Sequence, residues 1–170
     1  MIRTAKISDI ARLVDIDSAA YGSYGADRGY FEEKFASDNV GILVVEEAGD
    51  VSGFCVFEIL RSNQIPPDFC DLKLRKPLED TWTHIIAFTT STNYIDLESD
   101  GQLVRAVEEK AKIMGSDIFC VPLSVEHPFE KNDVFGFWKK NGYERAGTIK
   151  WKASSNELIE CYFYCKLGAR

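Results

Sequence analysis

The chain has 170 residues, the length of one domain with a single hydrophobic core. It is 45% hydrophobic and 28% charged with only 5 prolines and 12 glycines, which excludes a disordered, collagen-like or low-complexity protein. The 20 Lys and Arg against 27 Asp and Glu leave a net charge of −7, which is unsuited to coating nucleic acid by neutralising phosphates; an anionic ligand would need a local exception.

Five cysteines, Cys55, Cys70, Cys120, Cys161 and Cys165, are scattered and form no C-x-x-C pair. With only His84 and His127 beside them they lack the ligand count and spacing of a zinc site, so no metal is expected and the thiols read as reduced, in a cytoplasmic protein. The opening Met1-Ile2-Arg3-Thr4-Ala5-Lys6 has no apolar run of the signal-peptide kind behind it. No stretch approaches the roughly 18 apolar residues of a membrane span, so no membrane partner is expected.

Ile2 to Ala5 reads as a short strand, and Ser8 as an N-cap before Ile10, Leu13, Val14 and Tyr21, whose helical spacing predicts a helix from about Asp9 to Tyr21. A shorter amphipathic segment follows around Tyr30 to Ala36. The period then changes: Gly41 to Glu47, a turn at Gly49-Asp50, and Val51 to Leu60 predict a β-hairpin. Arg61 to Asp80 carries Pro66, Pro67 and Pro77 and reads as a long excursion between strands of one sheet. Thr83 to Thr90 is apolar on both faces, as a central strand is, and leads through the polar loop Ser91 to Asp100 into a helix from Gly101 to Met114. That helix turns Leu103, Val104, Val107, Ala111 and Met114 inward and pairs Arg105 with Glu109, and Glu108 with Lys112, outside. Gly115 stops it. Ile118 to Val125 is a second buried strand, Asn132 to Asn141 a short helix, and Tyr143 to Lys152 with Leu158 to Leu167 a final hairpin. The two strand-helix-strand passages require crossovers, so the expectation for 1–170 is one α/β (α+β) domain: a mixed sheet of about seven strands, parallel at its centre, with about four helices.

This order, with the segments Gly101-Gln102-Leu103-Val104-Arg105-Ala106-Val107-Glu108-Glu109-Lys110-Ala111 and Phe137-Trp138-Lys139-Lys140-Asn141-Gly142-Tyr143-Glu144, resembles the GNAT superfamily of acyl-CoA-dependent N-acetyltransferases. Ile2-Arg3-Thr4-Ala5 before Ser8-Asp9-Ile10 is a weaker third match. The resemblance spans nearly the whole chain. It implies an N-acyltransferase that moves an acetyl or other acyl group from acyl-CoA to an amine, either on a small molecule or on a protein. It places the acyl-CoA site at Phe88 and Thr89 on the central strand, at Ser99, Asp100, Gly101 and Gln102 where the loop Ile95 to Gly101 enters the helix, and at Trp138. The physics of such a site is general: free amides and the helix dipole at an N-terminus attract an anion.

Two departures bear on that chemistry. Where the family has an R-G-x-G-x-G pattern, this chain reads Ile95-Asp96-Leu97-Glu98-Ser99-Asp100, with three carboxylates and no glycine before Gly101. Carboxylates pointing inward oppose a diphosphate; alternatively Asp96, Ser99 and Asp100 simply cap the helix and so occupy the same amides. Where relatives often carry a tyrosine able to protonate the departing thiolate stands Trp138, whose indole N–H has no useful acidity and which also suits core packing. For a base, His84 at the start of the central strand and Glu126 beyond the next one are the chosen residues, with His127 and Glu58 as further options. A hydrogen-bonded strand-end histidine and a turn at Glu126-His127-Pro128 are the structural alternatives.

The competing function is a GNAT-like domain that has lost acyl-CoA chemistry and serves as a binding or regulatory protein. Nucleic acid is set aside, since Arg61, Lys73, Arg75 and Lys76 are interrupted by Asp68 and Asp71. Residues 15–50 hold nine acids against Arg28 and Lys34, which suits a cationic amine acceptor, whereas 139–152 hold five bases against Glu144. Tyr162, Tyr164 and Trp151 on the last hairpin fit either core or homodimer contacts.

Overall fold

The computed structural model describes residues 1–168. Eight strands and four α-helices follow one another as β1 (Ile2–Thr4), α1 (Ile10–Tyr21), α2 (Arg28–Phe35), β2 (Val40–Glu47), β3 (Asp50–Leu60), β4 (Phe69–Leu74), β5 (Trp82–Thr90), α3 (Leu97–Ile113), β6 (Ile118–Ser124), α4 (Val134–Lys140), β7 (Glu144–Lys152) and β8 (Leu158–Leu167). They make one sheet in the order β1-β2-β3-β5-β6-β8-β7-β4. Every neighbouring pair is antiparallel except β5 with β6 at the centre. No described helix is both long and apolar enough to cross a membrane, and no cluster of metal-ligating side chains occurs among the described residues.

The alternation along the strands explains the layers. In β2, Ile42 and Val44 face α1 and α2 with Phe54 and Val56 of β3, while Leu43 and Val45 face the opposite way with Cys55 and Phe57. The first face is filled by Ile10 and Leu13 of α1 and Phe31 of α2. The second carries α3 and α4 through Leu103, Val107, Phe137 and Trp138. Between β2 and β3, Ala48 and Gly49 both adopt positive φ, the geometry of a tight hairpin turn. Gly115 at φ 95 ends α3, and the N–H groups of Gly115 and Ser116 return to the carbonyls of Lys112 and Ala111.

Three sequence expectations are corrected. The excursion 61–80 contains the eighth strand, β4, which pairs with β7 at the far edge of the sheet. Its ladder slips between Cys70 and Lys73, where Asp71 sits at φ 51, so the alternation that announces a strand is broken. Helix α3 begins four residues before Gly101, at Leu97. Glu108 also turns inward instead of pairing with Lys112 outside. Its carboxylate accepts from Lys166 Nζ at 2.8 and 2.9 Å and from the Tyr143 hydroxyl at 3.1 Å. Burial, reinforced by the Glu108 charge, pushes the Tyr143 phenol well above its usual range.

This triad ties α3 to β8, and removing its cation leaves a buried carboxylate with only a phenol donor. Lys166→Met is therefore expected to cost about 2 kcal/mol in urea unfolding, and adding Glu108→Gln should recover part of that loss. Of the aromatics of the last hairpin, Tyr164 is buried and Tyr162 and Trp151 are half-buried; Phe135 packs on Tyr162 and Tyr164, and the Trp151 indole donates to Asp68 at 2.6 Å.

Candidate functional site

The central parallel ladder covers only three residue pairs, Trp82 with Ile118, Thr83 with Phe119 and His84 with Cys120. Beyond it β5 keeps its β3 partner as far as Thr90 and β6 keeps β8 as far as Ser124, so the two strands diverge and face each other across a wedge. From Ile85 to Thr90 the β6-facing edge of β5 has no ladder partner, and main-chain groups in such a place seek one. The ladder with β3 slips by a residue opposite Ile86, a bulge of the kind that re-aims backbone groups near active sites. Phe88 and Thr89, expected at the acyl-CoA strand, both lie on this stretch and are buried.

One wall of the wedge is aromatic. Tyr94 stacks on Phe88 with centroids 5.6 Å apart, and its hydroxyl donates to the Phe88 carbonyl at 3.4 Å. Trp138 is fully buried, edge-on to Phe88 and Tyr143, and its indole N–H has no hydrogen-bond partner among the described residues. At the mouth, Tyr21 of α1 meets His127 and Phe129 from the loop after β6, and these two also meet Tyr94. His127 Nδ1 accepts the Phe129 N–H at 3.1 Å, and burial lowers the imidazole to about 4, so the ring is neutral near pH 7.

Asp17 links this wall to the segment between α1 and α2. It is 5% exposed, and its carboxylate accepts from the Ala26 N–H at 2.7 Å and the Thr89 hydroxyl at 3.2 Å. Burial raises its pKa against the opposing effect of those two hydrogen bonds. Burial and the Asp17 charge push the neighbouring Tyr21 up to about 12. The sequence reading missed Asp17, Tyr21 and Tyr94. A signal for the first was present, since Asp17 stands four residues after Leu13 and four before Tyr21, on the apolar stripe of α1.

The loop into α3 is held by its own acids. The Asp96 carboxylate caps the helix, accepting from Glu98 N–H at 3.2 Å and Ser99 N–H at 3.1 Å, and the Asp96 carbonyl takes the Asp100 N–H. Asp100 is no cap. It is 1% exposed and accepts from the Thr92 hydroxyl at 2.7 Å and the Tyr94 N–H at 2.8 Å. It thereby holds Asn93 and Tyr94 in the left-handed region, at φ 47 and 72. Of the other residues expected at the cofactor, Ser99 is half-buried, Gly101 is buried against Asn141 and Arg105, and Gln102 is exposed.

Tested against acyl-CoA, the site divides. The open edge of β5 suits the amides of a pantetheine arm, which pair with a strand as a peptide does. The helix N-terminus does not suit a diphosphate, because Asp96 holds two of its amides and Glu98 adds a further negative charge.

His84 and Glu126 do not come together. His84 is 3% exposed on β5, its Nδ1 2.9 Å from Glu58 Oε1 on the paired residue of β3, and Phe69 packs edge-on to its ring. Burial works against the Glu58 charge, yet the His84 hydrogen bond and charge prevail and lower its pKa. Glu126 lies past the end of β6, six residues beyond Cys120, the partner of His84, or roughly 20 Å along a strand. There it lines an open cavity of about 260 Å³ with Glu157 and Glu160.

The sequence matches no family model and no curated protein. The structure is similar over nearly its whole length to solved acetyltransferases. Arabidopsis thaliana NAA60 in complex with acetyl-CoA superposes with a TM-score of 0.72 at 12% identity, covering 98% of this chain and 97% of that one. Chaetomium thermophilum Naa20 in complex with a bisubstrate analogue gives 0.72 at 14%, covering 99% and 86%. An acetyltransferase of the GNAT family from Streptococcus pneumoniae gives 0.66 at 14%, covering 98% of both. At such identities the likeness is one of architecture, and with the splayed central strands it establishes that this chain has the GNAT fold.

Proposed function

We propose that the chain is an N-acyltransferase that moves an acyl group from a thioester donor, with acetyl-CoA the type compound, to an amine. The observation that carries this reading is the wedge between β5 and β6: a parallel ladder of three pairs, followed by an open, bulged strand edge with buried walls. The acetyl-CoA and bisubstrate complexes among the structural neighbours support it by fold.

Acyl transfer needs alignment of the reactants, a neutral amine, and donors for the oxyanion. The free edge of β5 aligns the thioester arm, and its N–H groups near the Ile86 bulge act as donors to the carbonyl oxygen. His84 receives the amine proton on Nε2, directly or through water, while Glu58 holds Nδ1 and stabilises the imidazolium; as the C–N bond forms the thioester C–S bond breaks, and the departing thiolate takes its proton from water. Trp138 shapes the wall and transfers no proton. The acidic α1–α2 region and the cavity of Glu126, Glu157 and Glu160 favour a positively charged acceptor, on a small molecule or a protein.

The test is a thermal melt with acetyl-CoA, S-acetylpantetheine and longer acyl-CoAs. A ligand at 1,000 times its Kd adds about 4 kcal/mol, so a clear rise in Tm is expected with at least one donor. Unchanged melting with every donor at millimolar concentration would sink the enzyme reading. It would leave the second one, a GNAT-fold binding or regulatory domain, which the self-capped entrance to α3 favours.

A further inference from the structure

On the acyltransferase reading, the loop into α3 and the free edge of β5 decide how the donor is held. The amides from Tyr94 to Asp100 are largely committed within the loop: Tyr94 N–H to Asp100, Ile95 N–H to the Thr92 carbonyl, Glu98 and Ser99 N–H to the Asp96 carboxylate, and Asp100 N–H to the Asp96 carbonyl. An anion arriving here would displace a fixed carboxylate from two of these donors and meet the second charge of Glu98, which has no side-chain partner among the described residues. The apolar side chains of Ile95 and Leu97, 72% and 43% exposed, flank the same entrance. The Arg105 guanidinium reaches back towards Gly101, one turn inside the cap. Against this stands the open edge of β5, which needs hydrogen-bond partners along its length and carries no charge.

We infer that this chain recognises its acyl donor through the thioester arm and not through a diphosphate, so that acylated pantetheine, without nucleotide or diphosphate, is bound as well as acyl-CoA. The adenosine and phosphate portion of CoA then adds charge repulsion at the entrance to α3 and few new contacts. In a site whose helix amides are free, the same portion contributes strongly to affinity.

The experiment compares equilibrium binding of S-acetylpantetheine and acetyl-CoA to the full chain by calorimetry at low and moderate salt. The expected result is an acetyl-CoA Kd no more than about threefold below that of S-acetylpantetheine, with acetyl-CoA binding strengthening as salt screens the carboxylates. Acetyl-CoA binding more than threefold tighter, and weakening with salt, overturns the inference while leaving the acyltransferase reading intact. Binding of neither donor overturns both. Glu98→Gln, an exposed change outside the cap, is expected to tighten acetyl-CoA about threefold and to leave S-acetylpantetheine unchanged. Equal effects on both donors, or on neither, count against the inference.

Discussion

Lowering the pH from 7 to 4 is expected to remove about 3 kcal/mol of folding stability through His127 alone. The half-buried ring packs among Tyr21, Tyr94 and Phe129, and its Nδ1 takes the Phe129 N–H, so charging it in place costs desolvation without a compensating carboxylate. Its folded pKa is about 4 against an ordinary 6.5, so between these values the unfolded chain binds a proton that the folded chain refuses. The contribution is therefore complete above pH 6.5 and is lost as the pH falls through that window towards 4. Asp9, held below its usual range chiefly by the hydrogen bond from Arg3, loses stability in the same direction at lower pH. Asp17, raised by burial, works the other way, since protonation relieves it. Urea midpoints measured from pH 4 to 7 for the wild type and for His127→Phe separate these effects. The variant keeps an aromatic ring at the mouth of the wedge and should have a much flatter profile above pH 4. An unaltered slope would place the acid sensitivity elsewhere.

The strands and helices that carry long apolar patterns were readable, and the parts held by distant polar partners were not. Val51 to Leu60, Thr83 to Thr90 and Leu103 to Ala111 signal their periods directly, and the structure places each as expected. The first turn of α3 escaped because Leu97-Glu98-Ser99-Asp100 has no apolar stripe. Asp100 is buried only because Thr92 and Tyr94 fold back to satisfy it. Glu108 reads as a surface residue until Lys166, 58 positions away, is brought beside it. Strand β4 was hidden by the left-handed Asp71 and by two prolines just ahead of it. In the site, the strand that carries His84, Phe88 and Thr89 was legible from its apolar run, whereas the short ladder between β5 and β6 was not. The Glu58 partnership was not, because it depends on the register of β3 against β5. The acidity of the loop was legible as composition; that Asp96 caps α3 while Asp100 turns inward to Thr92 and Tyr94 was not.

His84→Gln is expected to lower kcat/KM for an alkylamine acceptor about 10²- to 10³-fold, the range in which positioned general bases contribute. At neutral pH such an acceptor is mostly ammonium, and a proton must leave nitrogen before or during attack on the thioester. His84 is suited to take it because Glu58, fixed opposite by the β3–β5 register at 2.9 Å, orients the ring and balances the charge it gains. Glu58→Gln should therefore retain a hydrogen-bonding partner yet lose the balancing charge, reducing kcat by about tenfold with little change in KM. Glutamine at position 84 preserves polarity among Phe69 and Trp82 but cannot take up the amine's proton, and urea unfolding checks that the core has not loosened. A purely structural role predicts equal losses for every acceptor. A role as base predicts that an amine already neutral at the assay pH, such as an alkoxyamine, is acylated by the His84→Gln enzyme with most of the deficit removed. Glu126→Gln supplies the contrast: far along the sheet, beside Glu157 and Glu160, it is expected to raise KM for cationic acceptors while kcat stays within about twofold. If Glu126→Gln instead abolishes kcat and His84→Gln does not, the proton leaves at the far end of β6, and the Glu58–His84 pair is a strand clamp.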